Sequence, residues 1–379
     1  MILSVLQNKF VLYTIILAGI LFKLLLFPVK LGDYNVYLEP WINFIKSHGY
    51  FYSLQYDFYN YTPPYIYILV VLAKLGFNPL YSIKIVSVIF EYVLAFYIGK
   101  IAYQKYIDKK IILISLAVVP LIPTVILNGA FWGQCDAIYS TFVVMSFYFL
   151  IQKKNLLSVV FLGIAFAFKA QTAFILPLFF LFFIQGKIKW YYFLIIPLVY
   201  LIAVSPAWLF GRNLIDLFTI YAKQSDYFQG LTLYFPNIYV WFSDDYYTIG
   251  KFSGIIATIL ITIIFCFWLK KQKTPFDLEI LVQIALLSVI ITPFFLPGMH
   301  ERYLFLGDIF AVLYFLIRRK NIHISIGIIT VSFYAYMSCS RLKAILPLWP
   351  AFFVYTAVII LLFIDLQKTI EEKKYQPEN

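Results

Sequence analysis

Twelve apolar stretches, thirteen to twenty-five residues long, follow one another along this chain with short polar gaps between them. They run roughly over 10–29, 80–104, 111–127, 134–151, 156–168, 171–185, 189–209, 250–269, 278–296, 303–317, 323–338 and 346–366. As helix, about 20 such residues cover a hydrocarbon core of about 30 Å. In that core every backbone N–H and C=O must find its partner within the protein, which leaves helices or closed barrels. The alternating strands of about ten residues that build a barrel are absent. The expectation is an all-α, polytopic membrane helical bundle of about twelve spans (eleven to thirteen), forming a single integral membrane domain over 1–379.

Composition agrees: 63% of residues are hydrophobic and 13% charged, against roughly 45–50% and 25% in a soluble domain. The first stretch is too long for a signal-peptide core and lacks a small-residue cleavage site, so it reads as a retained helix. A further stretch, 63–77, opens on Pro63-Pro64 and is too short to cross, which suggests a re-entrant or interfacial segment.

The formal charge of +12 does not point to nucleic acid, because the basic residues sit in the gaps between apolar stretches. If 63–77 does not cross, 18 of the 30 Lys and Arg fall on one side, from Lys9 through Lys100–Lys110, Lys153-Lys154, Lys187/Lys189, Lys270–Lys273 and Arg318–Lys320 to the C-terminal tail. By the positive-inside rule that side is the cytoplasm. The expected location is therefore a plasma membrane, multi-pass, with loops 30–62 and 210–249 extracytoplasmic and a flexible cytoplasmic tail over 367–379. In the first loop Tyr37, Trp41, Ile42, Phe44 and Ile45 recur at helical spacing and predict a short helix lying on the membrane. Cys135, Cys266 and Cys339 have no paired spacing and suggest neither disulfide nor zinc site.

Four polar turns fall on the predicted outer side: Asp33 after the first stretch, Asn128 through Asp136, Lys169 through Thr172, and Pro297 through Tyr303. Asp33 is either a helix-end residue or a base able to take a proton from a hydroxyl. Lys169 and Gln171 lie at the apex of a hairpin whose first arm covers only about 20 Å, so the ammonium lies below the surface and needs an anion unless it snorkels out. Asp136, within Trp132-Gly133-Gln134-Cys135-Asp136, either binds sugar hydroxyls or pairs with Lys169. His300 and Arg302 present phosphate donors, Arg in bidentate fashion, while Glu301 and Arg302 could instead form an interfacial salt bridge. Lys84 and Glu91, two turns apart in one span, read as a structural ion-pair set, and the Asn60-Tyr61-Thr62 sequon reads as part of the fold. No phosphate-cradling glycine loop, HExxH, GxSxG or DxD occurs.

With the acid after the first span, Tyr59-Asn60-Tyr61-Thr62-Pro63-Pro64, Trp132-Gly133-Gln134-Cys135-Asp136, Lys169 with Gln171, and His300-Glu301-Arg302-Tyr303 in this order, the chain resembles the GT-C superfamily. Within it, the resemblance is to bacterial mannosyltransferase-like proteins related to the GPI-anchor mannosyltransferases, over about residues 10–310. It implies an inverting transfer of mannose or glucose from a polyprenyl-phosphate sugar donor to a glycan or glycolipid acceptor. Asp33 would be the catalytic base; His300, Arg302 and Lys169 would hold the donor phosphate; Asp136, Gln134, Trp132, Gln171, Tyr61 and Glu301 would bind substrate. No cofactor or metal is expected, and the working unit is expected to be a monomer in the lipid bilayer. The alternatives are a flippase or transporter of lipid-linked glycans, which would use intramembrane cations too, and a ligase or polymerase. The lack of an internal repeat speaks against a transporter.

Overall fold

A computed structural model of the protein describes residues 8–272, 274–339 and 346–374; Lys273 and the last five residues of the expected tail, 375–379, lie outside the described residues. In chain order the helices are α1 (Lys9–Leu26), α2 (Glu39–Ser47), α3 (Pro63–Lys74), α4 (Pro79–Tyr106), α5 (Lys110–Val118), α6 (Pro123–Ile126), α7 (Asp136–Ile151) and α8 (Asn155–Phe168). They continue with α9 (Leu176–Ile184), α10 (Ile195–Leu209), α11 (Leu214–Tyr227), α12 (Tyr247–Lys270), α13 (Leu278–Phe295), α14 (Phe305–Arg318), α15 (Ile322–Cys339) and α16 (Trp349–Lys374). The described strands are two-residue pieces, β1 (Thr232–Leu233) and β2 (Met299–His300), paired in parallel.

Each of the twelve apolar stretches is thus mainly helical, and apart from the short strand pair the described residues are all-α. Among the described residues seven helices are long and apolar enough to cross a membrane, eight if the bent pair Lys110–Leu121 and Pro123–Phe131 is one broken span. The apolar helices Asp136–Ile151, Asn155–Phe168 and Ala170–Ile184 are shorter than a span, as is Pro63–Lys74, whose 12 residues rise only about 18 Å.

The helices divide into two compact units, one holding residues up to Thr172 with Trp190–Tyr227, the other Ala173–Lys189 with Phe228 onward. In the first unit α4 packs on α5 and α7, α7 on α8, and α8 on α10. Helix α1 starts on an Asn8 cap (2.9 Å to the Phe10 N–H) and buries only Leu12, Gly19 and Lys23. The rest of its surface is the exposed leucine and phenylalanine expected of a lipid-facing helix. Between α5 and Phe131 the helix is bent by 62°. Pro120 and Pro123 lack the N–H groups that a continuous helix would use, and the chain resumes through a turn of π-helix at Leu127–Phe131.

Helix α2 differs from its expected place on the membrane: Trp41, Ile42 and Ile45 are buried, in one cluster with Tyr65, Ile66 and Leu69 of α3. Its apolar stripe therefore faces protein, a choice the periodicity alone does not make. Buried Arg212 clamps the first loop to the start of α11 by donating to the Tyr56 carbonyl and to Asp57, with its guanidinium 5.1 Å from the Tyr59 ring. Thr62, the last residue of the sequon, is fully buried and donates to the Phe168 carbonyl at 3.0 Å.

In the second unit α13 and α14 are buried almost all round, and α13 through α16 pack as a group. The expected flexible tail over 367–379 is helical as far as Lys374, with Thr369 and Ile370 buried. The reason is a polar anchor: Asp365 accepts from Gln283 (2.5 Å), Tyr314 (2.8 Å), Asn321 (2.7 Å) and Arg318 (3.0 Å), and Lys373 reaches Asp277.

Candidate functional site

Charges in the apolar interior of the first unit draw its polar segments together. At the start of α7, Asp136 is 1% exposed and receives the Lys169 ammonium at 2.5 Å and the Asn128 amide at 2.7 Å. Lys169 follows the end of α8 in extended backbone, and its Nζ lies 5.4 Å from the Tyr61 ring centre and 6.0 Å from that of Tyr139. The pairing alternative for Asp136 is the one realised here. Two charges so placed offset each other's desolvation, and the aromatic faces add to the stabilisation of the cation.

Asp33 joins the same network from the loop after α1. Gln134 Nε2 donates to Asp33 Oδ2 at 2.5 Å, and the Tyr61 hydroxyl donates to Gln134 Oε1 at 3.4 Å. Gln134 is fixed in turn: the Ser87 hydroxyl of α4 donates to its carbonyl at 2.7 Å, and Gly133 before it takes φ +77°, which suits glycine. Asp33, Gln134, Tyr61, Lys169 and Asp136 thus form one connected set. Asp33 is partly exposed while Asp136 is closed in, so the two carboxylates have different access. Trp132 and Gln171 are half-buried on the segments that carry Gln134 and Lys169. Tyr34, next to Asp33, lines a cavity of about 410 Å³ with Lys30, Glu39, Asn43, Lys46 and Tyr81.

The polar turn of the second unit is a separate cluster. Glu301 is 2% exposed, bonded to Arg302 at 2.8 Å and 3.7 Å from His300 Nδ1. Burial alone would push the Glu301 carboxyl up, but the Arg302 charge and the His300 contact outweigh it and hold it down at about 2. The His300 ring stands edge-on to Phe228 at 5.2 Å, and its backbone pairs with Leu233. The salt bridge between Glu301 and Arg302 is therefore present.

Two buried lysines depart from the expected pairing of Lys84 with Glu91. Lys23, fully buried on α1, is the partner of Glu91. Lys84 makes no pair with Glu91; its ammonium donates to the carbonyls of Leu26 (3.1 Å), Phe27 (3.1 Å), Val29 (2.7 Å) and Phe131 (3.0 Å). A lysine inside the first apolar stretch was the available signal for Lys23. Asn128 had none beyond its place in the polar turn. Among the described residues no group of three or more His, Cys, Asp or Glu has the arrangement of a metal site.

No family model matches the chain, and no curated protein matches it.

Proposed function

We propose that this protein is a membrane glycosyltransferase that moves a hexose, mannose or glucose, from a polyprenyl-phosphate donor to a hydroxyl of a glycan or glycolipid, with inversion. Asp33 takes the proton of the acceptor hydroxyl, whose oxygen forms the new bond to the anomeric carbon. The bond from that carbon to the phosphate oxygen breaks, and polyprenyl phosphate leaves with the electron pair. Stabilising the departing phosphate is the usual task of fixed cations at developing charge, and Lys169 is the cation in the same unit as Asp33. The finer topology belongs to the same reading: twelve crossings, a plasma-membrane location and chemistry on the extracytoplasmic side.

The observation that carries the proposal is the partly exposed Asp33 carboxylate held by Gln134, in one network with the buried Lys169–Asp136 pair. A base must be oriented toward its proton as well as ionised, and a carboxylate with one oxygen bonded to an amide keeps the other for a hydroxyl. The cavity lined by Tyr34 falls in the roughly 300–1,000 Å³ range of small-molecule sites and is mixed in polarity, as a sugar requires.

The bent pair Lys110–Leu121 and Pro123–Phe131 favours a second reading, since transporters place broken helices at their substrate sites. The deciding assay supplies purified protein with polyprenyl-phosphate mannose or glucose and candidate acceptors. Turnover that falls by about 10²–10⁴ in Asp33→Asn, the range expected for loss of a general base, with the fold intact, supports catalysis. Unchanged turnover in that variant removes Asp33 from its role.

A further inference from the structure

Lys84 is fully buried on α4, yet it pairs with no carboxylate; four backbone carbonyls accept its hydrogen bonds. Three of them, from Leu26, Phe27 and Val29, come from the end of α1 and the link that follows. The last carbonyls of a helix lack partners within it and carry the negative end of its dipole, so a cation there is favoured twice over. The fourth, from Phe131, closes the π-turn. An ammonium has three N–H groups, so it is shared among the four oxygens in the manner of a metal ion among ligands.

The two segments it joins are the ones that present the proposed base and its holder. Val29 lies four residues before Asp33, and Phe131 three before Gln134. One turn along α4, Ser87 fixes the Gln134 carbonyl, and the Gln134 side chain reaches Asp33. Lys84, Val29, Asp33, Gln134 and Phe131 therefore form a closed ring of covalent and hydrogen-bonded links. Gly133 sits against the lysine stem: a Cβ built there would lie 3.8 Å from Lys84 Cγ and Cε.

We infer that these carbonyls form a monovalent-cation cage filled by the ammonium of Lys84, and that Lys84 is the positioning residue that sets the direction of the Asp33 carboxylate. The inference rests on Asp33 being the base, but the cage has a readout independent of the reaction. The test uses the full-length protein in lipid nanodiscs. In Lys84→Met, hydrogen exchange of segments 26–35 and 127–134 speeds up together while α13–α16 stay as protected as before. In the transfer assay kcat falls by about 10²-fold, the loss expected of a slightly misplaced reacting group, with the donor KM little changed.

If Lys84→Met does not fold, Lys84→Ala is studied with added methylammonium, whose N–H groups fit the cage, and with tetramethylammonium, which has none. Protection and turnover restored by the first ion only support the cage. Restoration by both ions or by neither overturns it, as does a folded Lys84→Met with both segments still protected. Loss of protection with kcat unchanged leaves a purely structural lysine and overturns the positioning role. Absence of turnover in the unaltered protein counts against glycosyl transfer and leaves the exchange result to judge the cage.

Discussion

The pair formed by Lys23 of α1 and Glu91 of α4 offers the sharpest test of how the first unit holds α1. Both side chains are at most 1% exposed, and α1 otherwise buries little beyond Leu12 and Gly19. Replacing Lys23 by Met keeps the length and apolar stem of the side chain but strands Glu91 as an unpaired buried carboxylate. Breaking such a pair from one side costs about 3–5 kcal/mol, whereas replacing both partners with apolar residues is close to neutral. Space around Glu91 is too tight for easy escape: a Cβ on Gly129 would lie 2.0 Å from its Oε1. The expected outcome in SDS-titrated mixed micelles is that Lys23→Met and Glu91→Met each lose about 3–5 kcal/mol and the double variant loses far less. By these figures the coupling in that cycle should be about 6–10 kcal/mol, above the roughly 0.5–3 kcal/mol common for residues in contact, because either single change strands a buried charge. Additive losses, or a Lys23→Met protein as stable as the parent, would refute the argument.

Three further outcomes follow from the geometry. Lys169→Met should destabilise the first unit by about 3–5 kcal/mol, and Lys169→Met with Asp136→Asn should recover most of it; unfolding free energies of both variants check this. Glu301 holds a carboxyl at about 2 in place of 4.5, so its contribution of about 3 kcal/mol is present above pH 4.5 and fades as pH falls toward 2. Acid titration of Glu301→Gln should show a stability curve flatter by that amount over this window. At Gly254 an added Cβ would lie 1.9 Å from the Tyr239 hydroxyl, which donates to the Phe295 carbonyl at 3.0 Å. Gly254→Ala should therefore cost about 1–3 kcal/mol, the usual range for overpacking, and a Tyr239→Phe background should relieve part of it.

Length and hydropathy were enough to mark where helices lie, because a run of apolar residues without partners in water has one local solution in lipid. The same runs did not say which helices are long enough to cross, since breaks such as that at Pro120 and Pro123 depend on where backbone groups find other partners. The apolar stripe of α2 was legible and its neighbour was not: protein and lipid present the same chemistry to Trp41 and Ile45. In the candidate site, Lys169 and Asp136 could be matched by opposite charge. Lys84 could not, because backbone carbonyls are present at every residue and leave no mark in the sequence. The prolines after the Asn60-Tyr61-Thr62 sequon mark it as part of the fold, and its Thr62 hydroxyl is bonded to the Phe168 carbonyl.

The distance in sequence between Lys23 and Glu91, 68 residues, has a consequence for how the protein is made. During synthesis α1 enters the bilayer before its counter-ion exists, bearing a lysine whose exposure to lipid costs about 2.5–3.5 kcal/mol. Until α4 arrives, that helix is free to slide, tilt or lift its ammonium toward a headgroup. The emergence of Glu91 fixes its depth, so α1 enters the bilayer before it is settled there.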